Sequence, residues 1–194
     1  DESLIACVQE RSDGRALLLA DAEGRAAAQL ISDSAEFYMQ PCFSPSGRLL
    51  AWVEWDHPNM PWDGSRLMVA ELSDDGVGSG IQQVAGGPEI SIFQPVLTDD
   101  AVYFISDESG WGQLWSVGLI TGVREQLTDK EDERGLPAWI QGVRTFALCP
   151  DHEHVVMVVG KDGRHELVEV SLVSRRERRM MGVEYFSELL QPAL

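Results

Sequence analysis

The chain has 194 residues, 44% of them hydrophobic, and a formal net charge of −17 at pH 7. This length and apolar content suit one sizeable globular domain or two small ones. So acidic a chain should repel nucleic acid and anionic membranes, because proteins bind both through Lys and Arg side chains that neutralise phosphate groups. We therefore expect no nucleic-acid partner and no membrane partner.

The three cysteines, Cys7, Cys42 and Cys149, are odd in number and lack the spacing of a metal site. Each lies in or beside an apolar run, where a free thiol usually packs as a small buried hydrophobe. We find no run of about 18 apolar residues that could span a bilayer, and no signal-peptide pattern. We expect a cytoplasmic protein without disulfides and without a cofactor.

Short apolar runs bounded by Gly, Asp and Pro dominate the chain, a pattern typical of β-strands. The first group contains three predicted strands: LIACVQE (4–10), ALLLADA (16–22) and AAAQLI (26–31). The second group contains four, and a proline-led segment opens it: QPCFSPSG (40–47), LLAWVEW (49–55), RLMVAEL (66–72) and IQQVAG (81–86).

The same order of segments then recurs. The third group reads QPVLTDD (94–100), AVYFISD (101–107), QLWSVGL (113–119) and REQLTD (124–129). The fourth reads LPAW (136–139), HVVMVVG (154–160), ELVEVSL (166–172) and RRMMG (178–182), and LLQP (189–192) resembles the start of another. Gly-bearing hairpin turns separate the long runs at SDGR (12–15), ESGWG (108–112) and KDGR (161–164).

Each repeat has a length of roughly fifty residues and contains four short strands, as a β-propeller blade does. A β-sandwich would also give many short strands, but not the same strand types in the same order. A parallel β-helix would have much shorter coils. A blade has two apolar faces and must stack on its neighbours, which accounts for runs such as HVVMVVG that are apolar at successive positions.

We therefore predict an all-β fold, a β-propeller of four-stranded antiparallel blades. The predicted blades cover roughly residues 1–32, 33–87, 88–130 and 131–183, and residues 184–194 begin another. Propellers close with about four to eight blades, and an open arc would expose an apolar sheet face at each end. We expect the roughly four blades of this chain to be part of a larger propeller, of about seven blades.

The stretch WVEWDHPNMPWDG (52–64) interrupts the β pattern with three tryptophans, a histidine and two prolines. It joins the second and third strands of its blade through a longer loop than the equivalent turns. Because neighbouring strands of a blade alternate in direction, this loop should emerge at the same end as two links between blades, GGPEISIFQP (86–95) and DKEDERGLP (129–137). We predict that all three line one face.

The segment FSPSGRLLAWVEW (43–55) resembles the SPDG blade signature of TolB-like propellers. The longer run QPCFSPSGRLLAWVEWDHPNMPWDGSRLMVAEL (40–72), with VAGGPEISIFQP (84–95) and VYFISDESGWGQLW (102–115), resembles the N-terminal propeller of bacterial prolyl oligopeptidase-family peptidases of the dipeptidyl-aminopeptidase/acylaminoacyl-peptidase type. The resemblance is continuous over about residues 35–140. It implies that a C-terminal α/β-hydrolase domain of the same parent chain performs the chemistry, and that the propeller controls which peptides reach it.

The catalytic serine of that family lies on a G-x-S-x-G turn, with its Asp and His partners downstream. The nearest string here is GVGSG (76–80), whose central residue is Gly78. It lies between the third and fourth strands of a blade rather than on a strand-to-helix turn. We therefore assign no catalytic residue to this chain and expect serine peptidase activity only of the parent protein.

The candidate site residues are those expected to meet the hydrolase domain or to line the substrate cavity: Trp55, Asp56, His57, Asn59, Trp62, Asp63, Glu89, Glu131, Asp132 and Glu133. The resemblance further implies that propeller carboxylates can hold the free amine of a peptide substrate. We expect no metal at His57, Asp56 and Asp63, because no second His or Cys follows at ligand spacing.

Two other functions stay open at this point. One is a TolB-like propeller that acts as a protein-interaction scaffold without enzymatic activity. The other is a propeller hydrolase or lyase whose metal lies in the central channel. The sequence also leaves open whether the protein forms a homo-oligomer.

Overall fold

The computed structural model describes residues 4–73, 78–139 and 142–180. These residues form β-strands joined by turns and irregular links, with no helix in any of the three ranges. The described part of the chain therefore has no helix that could cross a membrane. The strands form four antiparallel sheets, and the predicted all-β propeller class is confirmed.

The first sheet has three strands, β1 (Leu4–Arg11), β2 (Gly14–Asp21) and β3 (Gln29–Ser32). The second has four, β4 (Phe37–Phe43), β5 (Leu49–Trp55), β6 (Ser65–Leu72) and β7 (Gly78–Gly87). The third is made of β8 (Ile92–Leu97), β9 (Ala101–Ser106), β10 (Gln113–Gly118) and β11 (Arg124–Gln126). The fourth is made of β12 (Phe146–Leu148), β13 (His154–Lys161), β14 (Arg164–Ser171) and β15 (Glu177–Arg179).

Neighbouring sheets pack face to face, and this packing explains the continuous apolar runs. In β5, Leu50 and Trp52 lie in the core shared with the first sheet, whereas Ala51 and Val53 lie in the core shared with the third sheet. All four side chains are fully buried. Because the side chains of a strand alternate between two faces, a strand that is buried on both faces is apolar at successive positions.

The segment LPAW (136–139) was predicted to be the first strand of the fourth sheet, and this prediction is wrong. The first strand is β12, where Phe146 is fully buried and pairs with Met157 of β13. Residues 136–139 belong instead to the irregular link that precedes it. Pro137 has no amide hydrogen for a β-ladder, and Trp139 packs on another loop. The predicted start of a further blade, residues 184–194, lies outside the described residues.

Glutamine side chains tie the first strands of three successive sheets together. Gln40 and Gln94 each have a φ of 51° and lie at bulges in β4 and β8. The Gln40 side-chain oxygen accepts a hydrogen bond from Gln94 N (2.8 Å). The Gln94 side chain accepts one from Thr145 N and donates one to the Phe146 carbonyl, both at 2.6 Å. These bonds set the position of each first strand against the next.

The three cysteines are free and half-buried. Burial raises the pKa of Cys42 to about 12, so this thiol stays protonated at neutral pH. Cys42 lies in β4, where it packs against the core between the second and third sheets. It therefore serves as a packing residue.

Candidate functional site

Three connections form what we call the loop rim: the β5–β6 loop (56–64), the β7–β8 link (88–91) and residues 129–139 of the link between β11 and β12. They emerge at the same end of the sheets, because strand direction alternates along the chain. Two hydrogen bonds join the first connection to the second, and a ring contact joins the first to the third. The structure thus brings these loops together.

Turns inside the β5–β6 loop hold its shape. Asn59 N donates to the Asp56 carbonyl at 3.1 Å, and Asp63 N donates to the Met60 carbonyl at 2.9 Å. Met60 N donates to the Asp63 carboxylate at 3.0 Å. The carboxylate of Asp63 therefore stabilises the loop itself, although its residue is exposed.

The β5–β6 loop is docked on the link between the second and third sheets. Asn59 Nδ2 donates to the Pro88 carbonyl at 2.7 Å, and Ser91 Oγ donates to the Pro61 carbonyl at 3.2 Å. Gly64 permits this approach, because a Cβ atom at that position would lie 2.2 Å from the Pro88 carbonyl oxygen. Asn59 is therefore a residue that positions the loop.

Trp62 joins the β5–β6 loop to the link between the third and fourth sheets. Its ring stacks on that of Trp139, with centroids 4.6 Å apart and planes inclined by 28°. Trp139 is 70% exposed. Sequence reasoning missed this residue because it assigned LPAW to a strand. A tryptophan in a proline-bearing link, close to a tryptophan-rich loop at the same end, was the signal that could have identified it.

At the base of the loop, a group of charges is centred on the buried Glu54. Trp52 Nε1 donates to Glu54 at 2.8 Å, and Arg66 Nη2 donates to Glu54 at 3.2 Å and to Asp56 at 2.7 Å. Burial alone would raise the pKa of Asp56, but hydrogen bonds from Arg66 and from the Glu36 amide outweigh this effect and lower the pKa. Asp56 is therefore charged at neutral pH and already paired.

His57 connects the loop to Glu36, which follows the first sheet, and at the base of the loop Trp55 of β5 packs on Phe37 of β4. Glu36 Oε2 accepts a hydrogen bond from His57 N at 2.6 Å and lies 2.9 Å from His57 Nδ1. These bonds lower the pKa of Glu36. Phe37 stacks on Trp55 with centroids 5.2 Å apart, and the Arg15 guanidinium lies 4.6 Å from the Phe37 centroid. Sequence reasoning missed Glu36, whose position gives no local sign of this pairing.

The acids of the DKEDER run occupy different environments. Glu131 is exposed, whereas Asp132 is buried. Asp132 accepts a hydrogen bond of 2.7 Å from Arg134, whose fully buried guanidinium also pairs with Glu177 at 2.8 Å. Lys130 pairs with Glu177 as well. Asp132 thus belongs to an internal ion-pair network, and Arg134 is a structural residue that sequence reasoning missed within an apparently solvated charge run.

Glu133 lines a cavity of about 130 Å³ between the β5–β6 loop, the third sheet and the link that follows that sheet. Gly135 N donates to Glu133 Oε1 at 2.9 Å, and a Cβ atom on Gly112 would lie 2.1 Å from that same oxygen. The two glycines therefore make room for the carboxylate. The remaining walls combine aromatic, aliphatic and polar residues: Trp62, Ser91, Phe93, Ile105, Asp107, Leu136 and Pro137.

The rim carries exposed aromatic and acidic side chains. Glu89 lies exposed in the β7–β8 link, and Glu131 lies exposed in the link between the third and fourth sheets. In the described ranges, no three His, Cys, Asp or Glu side chains are grouped as a metal would require. The rim therefore presents aromatic ring faces and carboxylates at its surface.

Solved structures similar to this chain include two hydrolytic enzymes and a TolB protein. The chain matches puromycin hydrolase with a TM-score of 0.83 and 30% sequence identity, over 93% of this chain and 29% of that chain. It matches prolyl oligopeptidase B from Galerina marginata with a TM-score of 0.69 and 15% identity, over 94% and 26% of the two chains. TolB from Acinetobacter baumannii matches with a TM-score of 0.60 and 16% identity, over 91% and 40%.

No family model and no curated protein matches the sequence. The chain spans 29% of the puromycin hydrolase chain, so the similarity concerns one part of that enzyme. The matches to the oligopeptidase and to TolB, at 15% and 16% identity, concern the fold alone. Four antiparallel sheets and these matches show that the chain has a β-propeller fold. It is similar over 93% of its length to part of puromycin hydrolase and shares its fold with prolyl oligopeptidase B and with TolB.

Proposed function

We propose that this chain is the non-catalytic propeller portion of a serine peptidase, and that its loop rim gates and selects peptides for a C-terminal α/β-hydrolase domain of the parent protein. The observation that carries this proposal is the convergence of three connections into one rim with exposed aromatic and acidic side chains. The match to puromycin hydrolase over 93% of this chain supports the peptidase assignment.

Gating in this proposal works by steric exclusion. The β5–β6 loop is fixed by hydrogen bonds from Asn59 and Ser91 and by the ring of Trp139, so the rim is a firm wall. A folded protein is excluded by such a wall, whereas a short peptide passes to the catalytic groups. The hydrolase domain supplies the nucleophile and its base, and the propeller supplies walls and contacts. The free cysteines support a reducing, cytoplasmic setting.

Charge reversal at the rim tests the proposal in the parent protein. Glu89 is exposed in the β7–β8 link, and we expect Glu89→Lys to lower kcat/KM for a short peptide by about three- to tenfold while the unfolding midpoint stays unchanged. The matched control is Asp100→Lys, in the exposed β8–β9 turn at the opposite end of the sheets. Equal effects of the two substitutions on kcat/KM would rule out a special role for the rim.

A second function, a protein-interaction scaffold without enzymatic activity, is supported by the exposed ring of Trp139 in the rim. That ring would become buried against a protein partner, and buried tryptophans often dominate the binding energy of interfaces. Glu89→Lys then weakens partner binding, and the parent protein hydrolyses no peptide.

A further inference from the structure

Two arginines of this chain are held in the same way, each by the face of an aromatic ring together with a carboxylate. The sets are Arg124 with Trp115 and Glu108, and Arg15 with Phe37 and Glu10. The guanidinium carbons lie 5.4 and 4.6 Å from the ring centroids, and the ion pairs measure 2.7 and 2.9 Å. A guanidinium suits this arrangement because it is planar, stacks on rings and forms strong hydrogen bonds to carboxylates.

The cavity next to Trp62 presents the same two kinds of group. Asp107 and Glu133 line it together with the rings of Trp62 and Phe93. Asp107 accepts a hydrogen bond from Ser91 N at 2.8 Å, and Glu133 accepts one from Gly135 N at 2.9 Å. Backbone amides therefore satisfy part of the bonding capacity of each carboxylate. In the described part of the chain, no lysine or arginine pairs with either one.

Among the described residues these two carboxylates have no basic partner, and the chain carries a net charge of −17. A cation supplied by another molecule would therefore pair with them in the cavity. The aromatic wall is already in place, since Trp139 stacks on Trp62 and fixes its ring. A preformed wall raises affinity because less side-chain entropy is lost on binding. The cavity, at about 130 Å³, has the scale of one side-chain head group.

We propose that this cavity binds the guanidinium group of an arginine side chain in a peptide substrate. Trp62 provides the stacking face, Asp107 and Glu133 provide the opposite charge, and Trp139 acts as a positioning residue. The inference rests on the proposed function for its ligand and adds a substrate class, arginine-containing peptides. Lysine fits less well, because its compact ammonium cannot stack on a ring as a planar group does.

Titration calorimetry on the parent protein tests the site without reference to catalysis. The probes are N-acetyl-argininamide and N-acetyl-citrullinamide, which share a planar head group and lack a free α-amine but differ in charge. We expect the arginine compound to bind at least about tenfold more tightly, because hydrogen bonds to charged groups are the stronger ones. Equal affinity for the two compounds would overturn the inference.

Three variants locate the effect. We expect Asp107→Asn and Trp62→Ala to bring the ratio of the two affinities close to one. Asp107→Asn keeps an oxygen that can accept the hydrogen bond from Ser91 N, so the local fold is maintained. Asp100→Asn is the matched control, because it neutralises an exposed acid in the β8–β9 turn that does not line the cavity, and it should leave the ratio unchanged. If Asp100→Asn and Asp107→Asn reduce the ratio equally, the preference comes from surface charge and the site is wrong.

Kinetics separate this inference from the proposed function. Paired peptides that differ only in arginine or citrulline should give different kcat/KM values with the wild-type parent protein. Equal kcat/KM values overturn the arginine site and leave the peptidase proposal intact. Failure to hydrolyse any peptide overturns the peptidase proposal, and the calorimetric comparison then decides the arginine site alone.

Discussion

The buried side chain of Arg134 ties the link between the third and fourth sheets to strand β15. Its guanidinium pairs with Asp132 at 2.7 Å and with Glu177 at 2.8 Å, and both carboxylates are largely buried. An intact buried ion pair adds little net stability, because desolvation offsets the attraction, but loss of one partner leaves the other charge uncompensated. Arg134 therefore matters as the partner of two carboxylates.

Replacement of Arg134 by alanine should destabilise the propeller by about 3–5 kcal/mol, because Asp132 would lose its buried counter-charge and Glu177 would keep only the exposed Lys130. Urea unfolding of the parent protein, followed through the propeller transition, measures this loss. Arg178→Ala serves as the control, since Arg178 pairs with Glu169 in an exposed position and should change stability very little. Similar small effects of both substitutions would contradict the assigned role of Arg134.

His154 and Asp151 form an exposed pair at the start of β13, with Nδ1 and Oδ2 2.8 Å apart. The hydrogen bond to Asp151 raises the pKa of His154 above 6.5, and the same bond is the main cause that lowers the pKa of Asp151. The folded chain therefore binds the imidazole proton more tightly than the unfolded chain does. The stabilising effect is largest between about pH 4 and pH 6.5. It fades as the pH rises through the raised pKa of His154 and as the pH falls through the lowered pKa of Asp151.

Substitution of Asp151 by asparagine should return the pKa of His154 toward 6.5, because the charged hydrogen-bond partner is removed. An NMR titration of the imidazole signals measures the pKa directly. Asp162→Asn, in the exposed turn between β13 and β14, is the matched control and should leave the titration of His154 unchanged. An unaltered pKa in Asp151→Asn would show that the pair does not form.

The position of the β5–β6 loop depends on the close approach of Gly64 to the backbone carbonyl of Pro88. Gly64→Ala would place a Cβ atom 2.2 Å from the Pro88 carbonyl oxygen, so the loop or the β7–β8 link must move. We expect lower kcat/KM for peptides and faster cleavage of the loop by an added protease, because the hydrogen bond from Asn59 would be disturbed. Limited proteolysis and peptide kinetics on the parent protein measure the two effects.

Gly87→Ala provides the comparison for this substitution. Gly87 lies at the end of β7, and a Cβ atom there would have its nearest neighbour at 3.8 Å, an ordinary contact. We expect this variant to behave like the wild type. If Gly64→Ala also retains full activity and resistance to the protease, the docked position of the loop is not required for function.

Strand β5 shows what the sequence could predict about single elements. LLAWVEW (49–55) was recognised as a strand with the bounds that the structure has, because four successive apolar residues packed between two sheets leave a strong local pattern. LPAW (136–139) was wrongly assigned because proline-led segments open the second and third sheets. Strand β12 lacks that proline signal, and only its pairing with β13 identifies it.

For the whole molecule, the repeated order of strand types made the propeller fold predictable. The side-chain contacts between different blades could not be predicted from that repetition. The propeller was recognised because each blade repeats the same strand types. Arg134 with Glu177, Trp62 with Trp139 and Glu36 with His57 join residues far apart in the sequence. No local pattern of residues reports such pairs, so the internal role of Asp132 and the cavity beside Trp62 required the structure.

We propose that this chain is the gate of a serine peptidase. The decisive experiment is intact mass spectrometry of the parent protein after labelling with a fluorophosphonate serine-hydrolase probe. We expect one stoichiometric adduct, on a serine outside residues 1–194, since the described residues carry no nucleophile on a G-x-S-x-G turn. A parent protein that forms no adduct under conditions that label a known serine peptidase would contradict the claim and leave the loop rim as the binding surface of a scaffold.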